Sequence, residues 1–323
     1  MRVAVINCSA PHPNLGALKL AAWLGAQGHA VDCHAGDPGL FSYGYDLVCC
    51  SVIFSWHAPI ACAIALRVQA NSEVWCGGPG MFALNHWWRA ATGLPLHRGL
   101  DARFERQRGV FPMTFASRGC PVGCSFCLVP HIEGTTFTLD WEFVPAPILC
   151  DNNLSALPEA FQDHIVRRYQ DTGTRLTDAN SGFEPRTFDA ATYQRWRGVL
   201  RGPWRLAFDE IGEADAVRRM LALLGGESSR RKRVYVLVGN EPIARCYERA
   251  MQVVAWGGEP YCQYFRPLNW LGDPATLRHR FDWTGQRGSD FCRYFNRYLW
   301  KAVRLADYTN RRHSPPPFAS VAL

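Results

Sequence analysis

Three cysteines lie close enough along the chain to bind one metal centre. Cys120, Cys124 and Cys127 have Cys-x3-Cys-x2-Cys spacing and follow a short stretch that predicts a strand. Iron–sulfur clusters are held by cysteine thiolates and normally take four of them. Three thiolates in one loop would hold a cubane cluster by three irons and leave the fourth iron open to a small-molecule ligand. Gly119 and Gly123 permit the tight turns of such a loop.

Two other kinds of site fit the same cysteines. A structural zinc site needs a fourth ligand, which His131 would supply four residues after Cys127, although zinc sites commonly pair two Cys-x2-Cys units. A redox pair would use Cys124 and Cys127 and leave Cys120 unexplained. Most of the other cysteines among the 13 stand singly in apolar stretches and are interpreted as buried hydrophobic residues. An odd count does not fit a closed disulfide framework.

The cysteine spacing, with the aromatic Phe126 directly before the last cysteine, resembles the signature of the radical S-adenosylmethionine (SAM) superfamily. The resemblance spans roughly residues 112–268. It implies a [4Fe–4S] cluster on Cys120, Cys124 and Cys127, with the amino and carboxylate groups of SAM on the open iron. It further implies reductive cleavage of SAM to methionine and a 5′-deoxyadenosyl radical, which abstracts a hydrogen from the substrate. An external electron donor of flavodoxin or ferredoxin type is implied as well, whereas no feature indicates the substrate.

The resemblance also assigns contacts to SAM, and these fall on Phe126, Asp151, Asn180, Arg186 or Arg266, Gly239 and Glu241. Phe126 would contact adenine through its backbone, and Gly239 and Glu241 belong to a segment similar to the fifth-strand motif beside the adenine. Asn180 would contact the ribose, Asp151 stands where polar residues face SAM, and an arginine would neutralise the SAM carboxylate. The usual Gly-Gly-Glu motif is absent. Each residue also has a structural interpretation, such as a turn glycine or a helix cap.

Residues 13–24 resemble the first helix of the cobalamin-binding domains that precede some radical SAM barrels. Ser51, Gly77 and Gly78 lie where that fold contacts the nucleotide tail of cobalamin. The motif Asp-x-His-x-x-Gly is missing. This leaves open cobalamin bound without a histidine ligand, and a degenerate domain that only covers the barrel. Bound cobalamin would favour methyl transfer, and without it the radical would serve another modification. A dinucleotide is a further alternative, although residues 77–80 fit Gly-x-Gly-x-x-Gly poorly.

Strands alternate with helices along most of the chain. In the first hundred residues, strands are predicted at 2–8, 30–33, 47–54 and 73–76, and helices at 15–27 and 59–70. The alternation predicts a parallel sheet with helices on both faces, which is a small doubly wound, Rossmann-like α/β unit. Residues 81–110 are predicted to be irregular.

From about residue 111 six further β/α steps follow, each with polar residues or glycine just after the strand. Strand ends of this kind face the active site of a β/α barrel, so the pattern predicts a partial (β/α)6 radical SAM barrel. The predicted domains are a cobalamin-binding-like domain at 1–105, the barrel at 106–275 and a C-terminal helical extension and tail at 276–323. Aromatic residues in the extension, from Trp283 to Trp300, share one helical face that packs on the barrel or serves as a substrate platform.

Composition bounds the remaining possibilities. The 323 residues are 48% hydrophobic and 20% charged, which is typical of a globular protein, and the net charge is +7. Two basic runs, Arg230-Arg231-Lys232-Arg233 and Arg311-Arg312-His313, would either contact nucleic acid or form a solvated turn and tail. An alternative function is therefore a non-catalytic zinc- or iron–sulfur-binding module that interacts with nucleic acid. No apolar run approaches the ~18 residues of a membrane span, and the N-terminus lacks signal-peptide features, so we expect a cytoplasmic protein.

Overall fold

The computed structural model describes residues 1–109, 111–273, 277, 281–310, 316–319 and 321, and they form two units. The first unit comprises Met1–Phe111, Gly119–Thr136 and Pro267–Asp273, and the second comprises Pro112–Arg118, Phe137–Arg266 and Pro274–Leu323. The division differs from the three predicted segments in two ways. The cysteine loop groups with the N-terminal unit, and the C-terminal extension groups with the strands of the second unit.

The first unit is built on a parallel sheet with the strand order β2-β1-β3-β4. Its strands and helices are β1 (Arg2–Asn7), α1 (Leu15–Ala26), β2 (Ala30–Ala35), β3 (Leu47–Ser51), α2 (Ala58–Val68), β4 (Glu73–Gly77), α3 (Asn85–Thr92), α4 (Ala102–Glu105) and α5 (Val129–Ile132). The sheet buries side chains on both faces, one with α1 and the other with α2. Strand β3 is apolar from Leu47 to Cys50 because both faces of the sheet are covered. The predicted α/β class with a parallel sheet is confirmed.

The two helices of this sheet begin and end where local chemistry predicts. The side chain of Asn14 accepts a hydrogen bond from the N–H of Ala17 and caps the start of α1. Gly28 follows the end of α1 at φ +82°, a conformation that glycine adopts without strain. In α2 a proline stands in the first turn, where its missing N–H has no partner to lose.

The stretch predicted to be irregular, residues 81–110, contains the helices α3 and α4, so that prediction was wrong for these parts. Helix α3 buries Trp88 completely. Gly93 ends the helix in the left-handed conformation at φ +75°. The helix has only eight residues, about two turns, so the one-turn spacing of its buried residues Trp88 and Thr92 is too short a pattern to stand out in the sequence.

The second unit contains two three-stranded parallel sheets, β5-β8-β9 and β10-β11-β12, and an antiparallel pair, β6-β7. Its elements are β5 (Met113–Thr114), β6 (Ser117–Arg118), β7 (Thr138–Leu139), β8 (Ile148–Leu149), α6 (Glu159–Thr172), β9 (Asp178–Ala179), α7 (Ala190–Trp196), β10 (Trp204–Phe208), α8 (Ala214–Leu223), β11 (Lys232–Val238), α9 (Ile243–Ala255), β12 (Glu259–Tyr264) and α10 (Gly285–Asn296). Two isolated parallel bridges, Leu176 to Leu200 and Phe183 to Leu206, link the residues that flank β9 to β10 and to the segment before it. The six predicted β/α steps are present, whereas their closure into a barrel stays a prediction.

Four aromatic residues of the C-terminal extension form part of the second unit's core, whereas Tyr298, which the prediction placed on the same face, is 39% exposed. Trp283 precedes α10, and Phe291, Tyr294 and Phe295 lie on one face of it, all almost completely buried. This burial confirms a packing face for these four residues. No helix in the described part of the chain is long and apolar enough to cross a membrane.

Candidate functional site

The three cysteines lie in the loop Gly119–Thr136 of the first unit, and each is half-buried. Gly119 has φ +87°, and a Cβ at this position would clash with the carbonyl oxygen of Thr136. The N–H of Gly119 donates to Oε2 of Glu133 at 3.0 Å, and the N–H of Cys120 donates to the carbonyl of Gly134 at 3.3 Å. The segment that follows the cysteines therefore holds the segment that precedes them. Glycine is required at position 119 because the two segments of the loop, around residues 119 and 136, approach each other too closely for a side chain.

The second half of the motif is a tight turn that leads into α5. The N–H of Cys127 donates to the carbonyl of Cys124 at 3.0 Å, and Gly123 lies just before this turn at φ +67°. The N–H of Val129 donates to Sγ of Cys127 at 3.4 Å. A hydrogen bond donated to sulfur favours the thiolate, which is the form that binds metals. Hydrogen bonds of this type also tune iron–sulfur clusters.

The described residues contain no group of three or more His, Cys, Asp or Glu side chains that converges on one metal ion. The three thiolates of a cubane each bind a different iron, so they do not need to meet at one point. His131, the fourth ligand in the zinc alternative, stacks its ring on Phe82 with the ring centroids 6.0 Å apart. Phe126 is half-buried beside Cys127. The loop therefore carries three half-buried thiols within eight residues, with one N–H directed at a sulfur.

Asp151 follows β8 in the second unit and is fully buried. Its Oδ1 accepts from the N–H of Ala116 at 2.7 Å, and its Oδ2 accepts from the hydroxyl of Ser117 at 2.5 Å. Burial raises the pKa of Asp151 to about 6, and the hydrogen bonds to these two residues oppose the rise. Both carboxylate oxygens hold the strand segment that runs into Gly119. The structure thus places Asp151 as an internal tie of the second unit.

Asn180 and Arg186 have more exposed side chains than Asp151. Asn180 follows β9 directly, is exposed, and anchors its backbone N–H on the carbonyl of Leu149 at 2.8 Å. Nε of Arg186 lies 2.5 Å from Oε1 of Glu184, and its Nη2 lies 3.8 Å from Glu213. The side chain of Arg186 is half-exposed. Because Arg186 already pairs with two carboxylates, it can bind an anion only if it gives up or shares these ion pairs.

Gly239 and Glu241 follow β11. Gly239 has φ +104°, and a Cβ there would press on the ring of Tyr264, so its glycine is required by packing as well as by conformation. Oε2 of Glu241 is 2.7 Å from Nε of Arg249. The carbonyl oxygen of Glu241 also accepts from the indole N–H of Trp283 at 2.7 Å. The turn after β11 is consequently held by groups within the second unit.

Arg249 is a central residue of this region that the sequence analysis did not identify. It lies on α9 with its side chain completely buried. Its guanidinium donates to the carbonyls of Phe208 at 2.5 Å and Leu237 at 2.6 Å, in addition to Glu241. The carboxyl ends of β10 and β11 are therefore joined by one cation. The available signal was an arginine within the apolar face of α9, since such a residue is buried only when it is paired.

Asp209 was also missed as a candidate, although its position directly after β10 is visible in the sequence. Burial raises the pKa of Asp209 to about 7, and the neighbouring carboxylate of Glu213 adds to the rise while Arg249 opposes it. Its N–H donates to Oε2 of Glu213 at 2.8 Å, and the side chain of Asn240 donates to its carbonyl at 3.1 Å. A carboxyl group with this pKa can gain or lose a proton at neutral pH, which is a property of catalytic acids and bases.

In the first unit, Ser51 is part of a hydrogen-bonded network at the carboxyl end of the sheet. Nδ2 of Asn14 donates to Oγ of Ser51 at 3.0 Å, so the same side chain caps α1 and contacts β3. A Cβ on Gly77 would lie 2.8 Å from the carbonyl oxygen of His97, and one on Gly78 would clash with the carbonyl of Val52. Both glycines are thus explained by close approach of the chain to itself.

The basic run at residues 230–233 is engaged within the second unit. Nη1 of Arg231 pairs with Glu227 at 2.8 Å, and its Nη2 donates to the carbonyls of Leu200 and Gly202 at 3.0 and 3.2 Å. Lys232 is buried at the start of β11. At least two of the four residues in the run, Arg231 and Lys232, are therefore engaged in the structure of the second unit. The second run, Arg311-Arg312-His313, lies outside the described residues.

Comparison with known proteins gives only distant similarities. No family model matches the sequence, and no curated protein matches it. A structure of the cobalamin-dependent S-adenosylmethionine radical enzyme OxsB, with aqua-cobalamin and S-adenosylmethionine bound, is 12% identical with a TM-score of 0.36 and covers 93% of this chain. The chain spans 56% of the length of that protein. A carbohydrate transporter from Acidothermus cellulolyticus 11B, in complex with myo-inositol, is 10% identical with a TM-score of 0.22 over 82% of this chain and 73% of its own. Neither similarity is close enough to assign a fold or an activity to this chain.

Proposed function

We propose that this chain is a radical SAM enzyme whose [4Fe–4S] cluster is held by Cys120, Cys124 and Cys127. The observation that carries the proposal is the three-cysteine loop itself. Its spacing leaves one iron of a cubane without a protein ligand, and Gly119 is required there by the close approach of Thr136. When bound, such a cluster supplies the electron that cleaves SAM to methionine and a 5′-deoxyadenosyl radical. An external electron donor of flavodoxin or ferredoxin type belongs to the same proposal.

The other roles, which are thiolate stabilisation, SAM binding and support of the backbone, belong to different residues of the chain. The N–H of Val129 stabilises the thiolate of Cys127. Asn180 and Arg186, with exposed and half-exposed side chains, are proposed to contact the ribose and the carboxylate of SAM. The side chains of Asp151 and Glu241 are engaged inside the second unit, so their proposed contribution is to hold the adjoining backbone in place.

Anaerobic reconstitution with iron and sulfide tests the proposal directly. The wild-type protein should turn brown and bind about four irons and four sulfides per chain, as one cubane requires. Cys124→Ala should lose most of this iron. Cys33→Ser is the matched control, because Cys33 is an exposed thiol outside the loop, and it should bind as much iron as the wild type. A colourless zinc-containing protein, or equal iron in Cys124→Ala, would contradict the proposal.

Reductive cleavage of SAM tests the activity. With dithionite, the reconstituted wild-type protein should release 5′-deoxyadenosine from SAM, and Cys124→Ala should not. The same reaction with added cobalamin distinguishes the two predicted roles of the first unit. Formation of S-adenosylhomocysteine only with cobalamin would support a cobalamin-dependent methyl transfer, whereas no effect of cobalamin would support a degenerate domain.

A further inference from the structure

Strand β2 forms an edge of the first unit's sheet, beside β1. The N–H of Ala30 donates to the carbonyl of Met1, and the N–H of Gly36 donates to that of Asn7. The even-numbered residues of β2 therefore direct their backbone groups toward β1. The backbone N–H and C=O groups of Val31, Cys33 and Ala35 point outward, and no hydrogen bond to a described residue satisfies them on that side.

Open edges of this kind template the pairing of another strand, and proteins usually protect them with lysine, proline or a bulge. The sequence of β2, Ala-Val-Asp-Cys-His-Ala, contains neither lysine nor proline. Its register with β1 runs without interruption from Arg2–Ala30 to Asn7–Ala35, so it has no bulge either. Most of its residues are exposed. The edge is thus left suitable for pairing.

The strand is complementary to itself. In an antiparallel pair of two β2 strands centred on Cys33, Cys33 faces Cys33 of the second copy and Val31 faces Ala35. All outward N–H and C=O groups of these three residues then find partners, because hydrogen-bonded pairs recur at every second residue. Asp32 faces His34 of the second copy in both halves of this pair. Moving the centre of the pair by one residue, which slides one strand past the other by two residues, would instead place Asp32 opposite Asp32, or His34 opposite His34.

The two polar side chains lie on one face of β2, where Asp32 is also 3.8 Å from Arg2. The hydroxyl of Tyr45 donates to Oδ2 of Asp32 at 2.9 Å and lies 3.2 Å from Nε2 of His34. Asp32 and His34 thus project from the same face of β2. Opposite charges facing each other across two strands are favourable, and like charges are unfavourable.

An exposed apolar turn lies next to this edge in the chain. Leu40 and Phe41 are each 80% exposed and belong to the 3₁₀ turn Gly39–Ser42, which follows β2. Asp37 anchors the start of this turn to Arg67 of α2 at 2.7 Å, and α2 and Tyr45 pack on the same face of the sheet. One pair of short strands buries less than the ~1,000 Å² of a stable interface. The apolar turn offers additional surface for the same contact.

We propose that β2 pairs with β2 of a second copy, antiparallel and centred on Cys33, to form a reversible homodimer with a continuous eight-stranded sheet. This inference does not depend on the proposed function. Sedimentation equilibrium of the full chain should show a monomer–dimer equilibrium. Cys33→Pro should weaken the dimer at least ~10-fold, because the central N–H is lost from both copies.

A second test exchanges the charges at positions 32 and 34, so the proposal can still be refuted if Cys33→Pro misfolds. Asp32→Lys places lysine opposite His34, and His34→Asp places two aspartates opposite each other, so each variant alone should dimerise more weakly. An equimolar mixture should form heterodimers in native mass spectrometry, since lysine then faces aspartate and Asp32 faces His34. Asp171→Lys, a charge reversal on the exposed end of α6, should dimerise like the wild type.

A short bis-maleimide tests the register. It should link two wild-type chains through Cys33 and fail to link Cys33→Ser, which should still dimerise by sedimentation. A wild-type protein that remains monomeric at the highest soluble concentration overturns the proposal. A dimer that is indifferent to both charge variants, or that is not linked at Cys33, overturns it as well, because the interface then lies elsewhere.

Discussion

Asp151 provides a quantitative test of how the second unit holds the strand that leads to the cysteines. Its two carboxylate oxygens accept from the N–H of Ala116 and the hydroxyl of Ser117. Asp151→Asn can keep both contacts, with its carbonyl oxygen accepting from Ala116 and its amide donating to Ser117 Oγ. Asp151→Ala leaves both groups buried without a partner. The pair of variants separates the cost of the charge from the value of the hydrogen bonds.

The expected pH dependence follows from the pKa of Asp151, which burial raises to about 6. An aspartate in an unfolded chain has a pKa of about 3.9. Between these values the folded protein binds the proton more tightly, so the free energy of unfolding falls as the pH rises from about 4 through 6. A difference of about 2 pKa units corresponds to about 3 kcal/mol. Asp151→Asn cannot ionise, so its stability relative to the wild type should increase by about 2 kcal/mol between about pH 4.5 and pH 8, the rest of the difference lying below about pH 4.5.

Urea denaturation followed by tryptophan fluorescence, between pH 4.5 and 8, measures this difference. Asp151→Ala should be less stable than Asp151→Asn across the range by at least about 2 kcal/mol, because each unsatisfied buried group costs about 1–3 kcal/mol. Parallel stability curves for the wild type and Asp151→Asn would refute the reasoning, since the carboxyl would then not titrate in the folded protein. Equal stability of the alanine and asparagine variants would refute the role given to the hydrogen bonds.

Substitutions at Gly119, Glu133 and Arg249 test the cysteine loop and the turn after β11. Gly119→Ala should lower the iron content after reconstitution although all thiols remain, because its Cβ would displace the carbonyl of Thr136; iron and sulfide analysis measures this, and a full complement would contradict it. Glu133→Ala should accelerate amide hydrogen exchange in the loop, and Glu133→Gln should restore slow exchange, because its carbonyl oxygen can still accept from Gly119. Arg249→Met should cost about 3–5 kcal/mol in urea denaturation by leaving the Glu241 carboxylate unpaired. Adding Glu241→Gln should recover part of this loss, and no recovery would argue against the pair.

Regular elements were predictable wherever the sequence carried a local signal. Continuous apolar runs predicted β3, and the runs before polar strand ends predicted β10 and β11 to within a residue or two. Helix α3 was missed because it spans only about two turns and buries only Trp88 and Thr92, which is too short a repeat to identify in the sequence. The antiparallel pair β6-β7 was missed because each strand has only two residues and their pairing joins segments twenty residues apart.

The cysteine loop could be found from sequence because its three cysteines lie within eight residues. The partners of Asp151 and Arg249 could not be found in this way. Asp151 contacts residues 34 and 35 positions away, and Arg249 contacts Phe208 across 41 positions. Sequence alone does not indicate which distant backbone group a buried polar side chain satisfies. The location of these residues at strand ends was therefore predictable, and their function as internal ties was not.

This distinction bears on how strand-end residues should be assigned. Position after a parallel strand places a side chain at the edge where ligands bind, but a ligand contact also needs an atom that the protein has not already engaged. Asp151 has both oxygens engaged by Ala116 and Ser117, and a ligand would have to displace a charge-assisted hydrogen bond to reach it. Asn180 is the first residue after the neighbouring strand β9, one residue nearer its strand end than Asp151 is to the end of β8, and its side chain is exposed. Of two residues that sequence pattern treats alike, the exposed amide is the better candidate for a ligand contact, and the buried carboxylate is the better candidate for stability.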